Sequence, residues 1–359
     1  MYTVHVRHSA LRLHEVVNLS GCCINASNRL WIRFRAGYSI CRHCLFRRFH
    51  HPYPGIPVGV TDTTTGLLNS SWSGIMGLGF SAISALQTTP FWQALYNSNL
   101  LSQPMFGFFL ERYIDDPVPV NTAPGGTFTL GGTNSSLYTG EIEFINMPSD
   151  STPSYWLQQV TTVTIQGKSI SIPSSSGLAA IDTGTTLIGA PSSIVQSIWA
   201  NVPGSMALTG QYEGLYAYPC NTAVSVSMSF GGTSWPISTA DMNLGNLTVT
   251  GTTTQMCVGG IFDIGSTVGS GQGVPFWIVG GTFLKNVYSV FQANPPAVGF
   301  AQLANGLSSS SGTPSSGSSA GSNPATTSTP SGATASTTLS TSLTVLVTLL
   351  AAFFAAFQV

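Results

Sequence analysis

Residues 178–188, Leu178-Ala179-Ala180-Ile181-Asp182-Thr183-Gly184-Thr185-Thr186-Leu187-Ile188, constrain this chain more than any other stretch. They read as an apolar strand that carries one carboxylate into a tight glycine turn and then resumes as an apolar strand. An ionisable group between such flanks is costly unless it is hydrogen-bonded. Thr183 and Thr185 offer hydroxyls, and Gly184 allows close backbone approach. The plain alternative is an aspartate that turns a hairpin, its side chain bonding its own loop. The Asp-Thr-Gly triplet also arises by chance in a chain this rich in glycine and threonine, so the apolar flanks carry the weight.

The surrounding chain points to an all-β protein. Only 6% of its 359 residues are charged, against about 25% in ordinary globular domains. Short Val, Ile, Thr, Phe and Tyr runs are broken by Gly, Pro, Asn and Ser, which is strand-and-turn texture. Strands are expected around Met105–Leu110, Gly126–Leu130 and Glu141–Ile145. A further pair, Trp156–Ile165 and Ile170–Ile172, flanks a hairpin turn at Gln166-Gly167-Lys168. Phe283–Phe291 reads as one apolar strand, with Pro295, Pro296 and Gly299 ending the globular part near Leu303. Phe91–Tyr96 and Ser192–Trp199 read as short helices.

Charge and cysteine divide the chain unevenly. Residues 1–51 hold eight of the eleven Lys and Arg, all six His, and one acid, Glu15. The remainder holds Arg112, Lys168 and Lys285 against eleven acids, a balance of −8. A basic head suggests a nucleic-acid or membrane arm, but residues 1–55 show no sustained period and no apolar leader core, and no nucleic-acid partner is expected. Cys41-Arg42-His43-Cys44 has a zinc-like spacing, yet its companion pair, Cys22-Cys23, is adjacent, which suits a tetrahedral site poorly; no metal and no cofactor are expected. Cys220 and Cys257, alone in the remainder, suit one disulfide. Sequons at Asn69, Asn134 and Asn246 mark candidate glycosylation sites.

The C-terminal end has three parts. Residues 305–342 are mostly Ser, Thr, Gly, Ala and Pro, a composition of O-glycosylated stalks. Leu343–Phe357 is apolar apart from Thr344 and Thr348, and is short for a span of about 20 residues. With the small residues Ser331-Gly332-Ala333 and a polar spacer, it matches a GPI-anchor signal. A tail-anchored helix is the alternative.

Ala180-Ile181-Asp182-Thr183-Gly184-Thr185 resembles the second active-site motif of the pepsin-like aspartic endopeptidases, and other segments follow in that family's order. Gly74-Ile75-Met76-Gly77-Leu78-Gly79 is similar to its N-terminal-lobe apolar-apolar-Gly segment. Gly125-Gly126-Thr127-Phe128-Thr129-Leu130-Gly131-Gly132 is similar to its inter-lobe strands, and Tyr155-Trp156 to the start of its C-terminal lobe. Cys220 and Cys257 match its C-lobe disulfide, and Ile278-Val279-Gly280 with Phe283–Phe291 its closing segment. The likeness covers about residues 56–304, and the tail suggests the surface-anchored fungal branch. It implies a bilobal all-β fold, divided as a non-family head at 1–55, the later part of an N-lobe at 56–150 and a C-lobe at 151–304. It further implies a monomer that hydrolyses protein or peptide substrates, with Asp182 catalytic, supported by Thr183, Gly184 and Thr185, at the cell surface or outside the cell.

Such an enzyme needs two aspartates sharing one proton, one activating water and the other polarising the scissile carbonyl. Asp182 precedes Gly280 by 98 residues, and the same offset from Gly77 falls at position −21. No second Asp-Thr-Gly exists, and Asp62, the only Asp before residue 100, lacks the following Gly. The sequence therefore reads as a truncated N-lobe joined to a head translated from intron or out-of-frame sequence, with exposed edge strands and no activity as written. A non-catalytic surface glycoprotein is the second reading. A dimer joining two copies of Asp182 ranks last, because residues 56–150 would obstruct it.

Overall fold

The computed structural model describes residues 76–84, 89–113, 124–149, 153–249, 253–265 and 275–307, and five short strands between His5 and Cys41. Strands dominate, as the β-branched and aromatic runs require. The helices are few and short, Phe91–Asn97 and Ser192–Trp199 among them. Ser192–Trp199 is amphipathic, burying Val195, Ile198 and Trp199 at helical spacing.

The largest sheet has seven strands in the order His5–Arg7, Val17–Ser20, Gly126–Leu130, Met105–Leu110, Val287–Ala293, Pro296–Leu303, Tyr138–Asn146. Strands from before residue 150 thus flank the last two strands of the described chain. The segment expected to close the globular part is an eight-residue strand, Pro296–Leu303, inside this sheet. The sequence leads one to expect exposed edge strands within residues 56–150, but Gly126–Leu130 is paired on both sides: Val17 lies opposite Leu130 and Asn18 opposite Thr129. An open edge is a row of free backbone donors and acceptors, and a segment of the head takes it up.

One face of this sheet is sealed by aromatic rings. Phe106 and Phe291 stack at 5.1 Å between centroids, and Trp92 and Trp156 lie 5.3 Å apart beside Phe80. Both indoles also bond backbone: Trp156 Nε1 donates to the Leu78 carbonyl at 2.8 Å and Trp92 Nε1 to the Gly79 carbonyl at 2.9 Å. Burying an indole with its N–H satisfied avoids the desolvation cost of a lone donor. These bonds hold the Leu78-Gly79-Phe80 segment against both sides of the core.

Two strand expectations are corrected. Trp156–Ile165 is not one strand but two, Leu157–Gln159 and Thr162–Ile165, in different sheets. The chain changes sheet at Val160-Thr161, where Val160 N–H donates to the Gly177 carbonyl and Thr161 N–H to the Ser229 carbonyl. Phe283–Phe291 is likewise divided: Gly281–Leu284 is a helical turn and the strand begins at Val287. The Gln166-Gly167 turn is present, with both residues at positive φ (48° and 76°), as a tight two-residue hairpin demands; Lys168 already belongs to the next strand.

Cys220 and Cys257 form a disulfide with Cα atoms 5.0 Å apart, tying a strand end to the neighbouring strand Met256–Gly259. On that strand pair Tyr218 is buried opposite Cys257, its hydroxyl donating to the Met242 carbonyl at 3.2 Å. Burial pushes its phenol from 10.0 up to about 12. A folded value above the ordinary one means this contribution to stability is complete below 10.0 and is lost as pH rises through about 12. Tyr218→Phe therefore loses less stability than the parent over that alkaline range, read from urea midpoints; burial of Tyr155, Tyr216 and Tyr288 leaves a residual slope.

Candidate active site

Asp182 lies at the end of strand Leu178–Ile181, and the chain resumes as strand Ile188–Ala190. These two arms do not pair with each other. Strand Trp277–Val279 lies between them, parallel to the first and antiparallel to the second. The two arms therefore form no hairpin, although the Asp182 side chain does bond its own loop, which straddles a third strand. All three strands are buried except at Leu178, which is half-buried, as the unbroken apolar flanks of the sequence anticipate. Leu157–Gln159 and Ile261–Asp263 complete the five-stranded sheet on either side.

The loop is fixed from beneath by backbone. Asp182 N–H donates to the Val279 carbonyl at 3.0 Å, and Gly280 N–H to the Leu187 carbonyl at 3.0 Å. Gly281 N–H reaches the Thr185 carbonyl at 2.8 Å, and Thr282 N–H the Thr186 carbonyl at 2.8 Å. A Cβ on Gly280 would lie 2.3 Å from the Thr185 carbonyl oxygen and 2.5 Å from that of Leu187. Glycine is thus required here by close approach of two backbones, not by its own dihedrals.

The carboxylate accepts two hydrogen bonds from its loop. Oδ1 accepts the Gly184 N–H at 2.8 Å, and Oδ2 accepts the Thr185 hydroxyl at 2.6 Å. A Cβ on Gly184 would stand 3.1 Å from Oδ1, so this glycine also serves close approach. Asp182, Thr183 and Thr185 are half-buried, while Gly184 and Thr186 are exposed. The result is a half-buried carboxylate oriented by two neutral donors. The Thr183 hydroxyl bonds nothing among the described residues.

The remaining expected sites are scattered. Asn134 is half-buried, and its side-chain oxygen accepts the Ser136 N–H at 3.1 Å and the Ser136 hydroxyl at 2.7 Å. Asn246 lies in strand Asn243–Leu247, its side-chain oxygen 3.4 Å from Cys257 Sγ. Asn69, most of the Cys41–Cys44 motif, the Ser/Thr-rich segment and the apolar tail lie outside the described residues. Among the described residues no three His, Cys, Asp or Glu side chains gather as a metal site, and no helix is long and apolar enough to cross a membrane.

Sequence reading missed a buried ion cluster close to this loop. Arg112 pairs with Asp241, and Lys285 Nζ lies 3.9 Å from Asp241 Oδ1. Asn286 Nδ2 also donates to Asp241, at 2.9 Å. Burial pushes the Asp241 carboxyl up and the Lys285 ammonium down. One signal was available: Asp241 stands between Ala240 and Met242, an acid in an uncharged setting, in a chain where bases are scarce.

An all-β chain with one oriented carboxylate on a loop that straddles a buried strand falls in the class of aspartic peptidase folds. The chain belongs to the eukaryotic aspartyl protease family, whose family profile matches residues 55–303. It is 44% identical over 267 residues to Major aspartyl peptidase 1 of Cryptococcus neoformans var. grubii, covering 71% of this chain and 52% of the relative. It is 33% identical over 247 residues to an aspartic protease of Phaffia rhodozyma, covering 68% and 54% respectively. Cathepsin D of Homo sapiens is 29% identical over 238 residues, covering 66% and 53%. The chain spans about half the length of the curated relatives it matches.

Proposed function

We propose that Asp182 is one carboxylate of a two-aspartate centre for peptide-bond hydrolysis, and that this chain alone is catalytically silent. The hydrogen bonds from Gly184 and Thr185 to its two oxygens carry the reading. In such a centre one ionised carboxylate takes a proton from water as its oxygen attacks the scissile carbonyl. The protonated partner donates to the carbonyl oxygen, and the leaving amine receives a proton as the C–N bond breaks. One carboxylate cannot fill both roles. No second Asp-Thr-Gly occurs among the 359 residues, which supports the silent reading.

Thr183, Gly184 and Thr185 shape the loop, residues 56–150 and 151–304 serve as parts of two lobes, and substrates are proteins or peptides. The sequons, the disulfide, the stalk-like segment and the apolar tail support a monomeric, lipid-anchored glycoprotein at the cell surface. A non-catalytic surface glycoprotein with a protease-like lobe is the competing reading.

Pepstatin-sensitive cleavage at acid pH separates these readings. No cleavage is expected from this chain; cleavage is expected from one extended upstream at its genomic locus, and Asp182→Asn should abolish it. Pepstatin-sensitive cleavage by this chain alone would overturn the silent reading. Activity of the extended chain that survives Asp182→Asn would remove the catalytic assignment.

A further inference from the structure

We propose that Asp241, Arg112 and Asn286 are positioning residues that set the Asp182 loop through the short helix Gly281–Leu284. The inference rests on the reading of Asp182 as a reacting carboxylate. The Asp241 side chain is fully buried, and an ionised carboxylate at that depth persists only with close partners. Arg112 Nη2 donates to Oδ2, and Asn286 Nδ2 donates to the same oxygen at 2.9 Å. Oδ1 accepts no hydrogen bond among the described residues and faces Lys285 Nζ at 3.9 Å.

The consequence of this pairing is that the Asn286 amide is held at both ends. Its Oδ1 accepts from Arg112 Nη2 at 3.0 Å and from the Ser238 N–H at 2.9 Å. Its Nδ2, besides meeting Asp241, donates to the Thr282 carbonyl at 2.9 Å. Thr282 in turn is bonded to the loop twice, its N–H and its hydroxyl both reaching the Thr186 carbonyl, at 2.8 Å and 3.2 Å. Gly281 N–H holds the Thr185 carbonyl, and the Thr185 hydroxyl holds Asp182 Oδ2 at 2.6 Å.

An unbroken line of hydrogen bonds and peptide units therefore runs from Arg112 to the carboxylate. Arg112 follows strand Met105–Leu110, whereas every other member comes from residues 182–286. The cluster ties the loop to the seven-stranded sheet, so the loop's placement is set from outside its own sheet. A four-residue helix has too few bonds of its own to stay put without such an anchor.

Amide hydrogen exchange on the full chain tests this, with the carboxyl carbon shift of Asp182 as the second readout. Asn286→Ala and Asp241→Asn are compared with the parent, and the Thr162–Ser171 hairpin serves as the control region. Expected are roughly tenfold faster exchange at Gly281 and Thr282, an unchanged hairpin, and a displaced Asp182 carboxyl shift. Equal acceleration in the hairpin, or no change at Gly281 and Thr282, overturns the proposal. Should Asp241→Asn fail to fold, Arg112→Lys keeps the charge but loses the planar guanidinium whose Nη2 reaches both Asp241 and Asn286; it should accelerate the same two amides, and their silence there overturns the proposal equally. Neither readout depends on peptide cleavage, so silence in a cleavage assay bears only on the reading of Asp182.

Discussion

Alanine at Gly280 is expected to destabilise the protein by at least about 3 kcal/mol, at the upper end of overpacking costs. The added methyl would lie 2.3 Å and 2.5 Å from the carbonyl oxygens of Thr185 and Leu187. Both obstacles are backbone atoms, and both belong to residues whose carbonyls accept from Gly281 N–H and Gly280 N–H. Neither can swing aside as a side chain would. The loop must lift off strand Trp277–Val279, and the bonds that hold Asp182 in place break with it. A urea midpoint shift and a displaced Asp182 carboxyl signal should appear together. A stable Gly280→Ala variant with an unmoved signal would show that the loop is not held from this side.

Breaking the disulfide should be about as costly. Cys220 and Cys257 are 37 residues apart in sequence, a loop whose closure stabilises a fold by about 3–4 kcal/mol in the chain-entropy account. Cys257 is fully buried, beside Val258 and Met256 in a strand with no exposed position. Cys257→Ser adds the burial of a hydroxyl to the loss of the cross-link and should be the more damaging variant; Cys220 is only half-buried. Thermal unfolding of the two single variants and of the pair, with and without reductant, measures both parts. A parent protein whose unfolding is indifferent to reductant would contradict the expectation.

Some of this molecule was legible in the sequence because local signals and tertiary structure agreed. Ser192–Trp199 shows its buried face as Val195, Ile198 and Trp199. Gln166-Gly167 announces its turn through its glycine, which supplies one of the two positive φ values that a two-residue hairpin loop needs. The Asp182 loop was legible because a carboxylate between two buried strands has few tolerable settings. Gly281–Leu284 was not, because nothing local makes it helical. Its leading N–H groups donate to carbonyls 185 and 186, far away in sequence, and a four-residue segment such as Gly-Thr-Phe-Leu is too short to show either period. The cluster around Asp241 was hidden for a related reason. Its partners, Arg112 and Asn286, lie 129 and 45 residues away, and an isolated charge carries no mark of its partner.

The order of strands in the seven-stranded sheet has a consequence for how the chain is made. Phe108 finds its neighbour in Ser289, and Gly107 in Val290. At about 5–20 residues per second, a ribosome needs roughly 10–35 s to pass from one to the other. For that interval Met105–Leu110, with Phe106, Phe108 and Phe109, has one side of its backbone unmatched. An unmatched, aromatic-rich strand of this kind is prone to pair with other chains while the middle of the protein emerges. Interruption of synthesis before Leu303 would release a sticky half-sheet rather than a smaller folded unit.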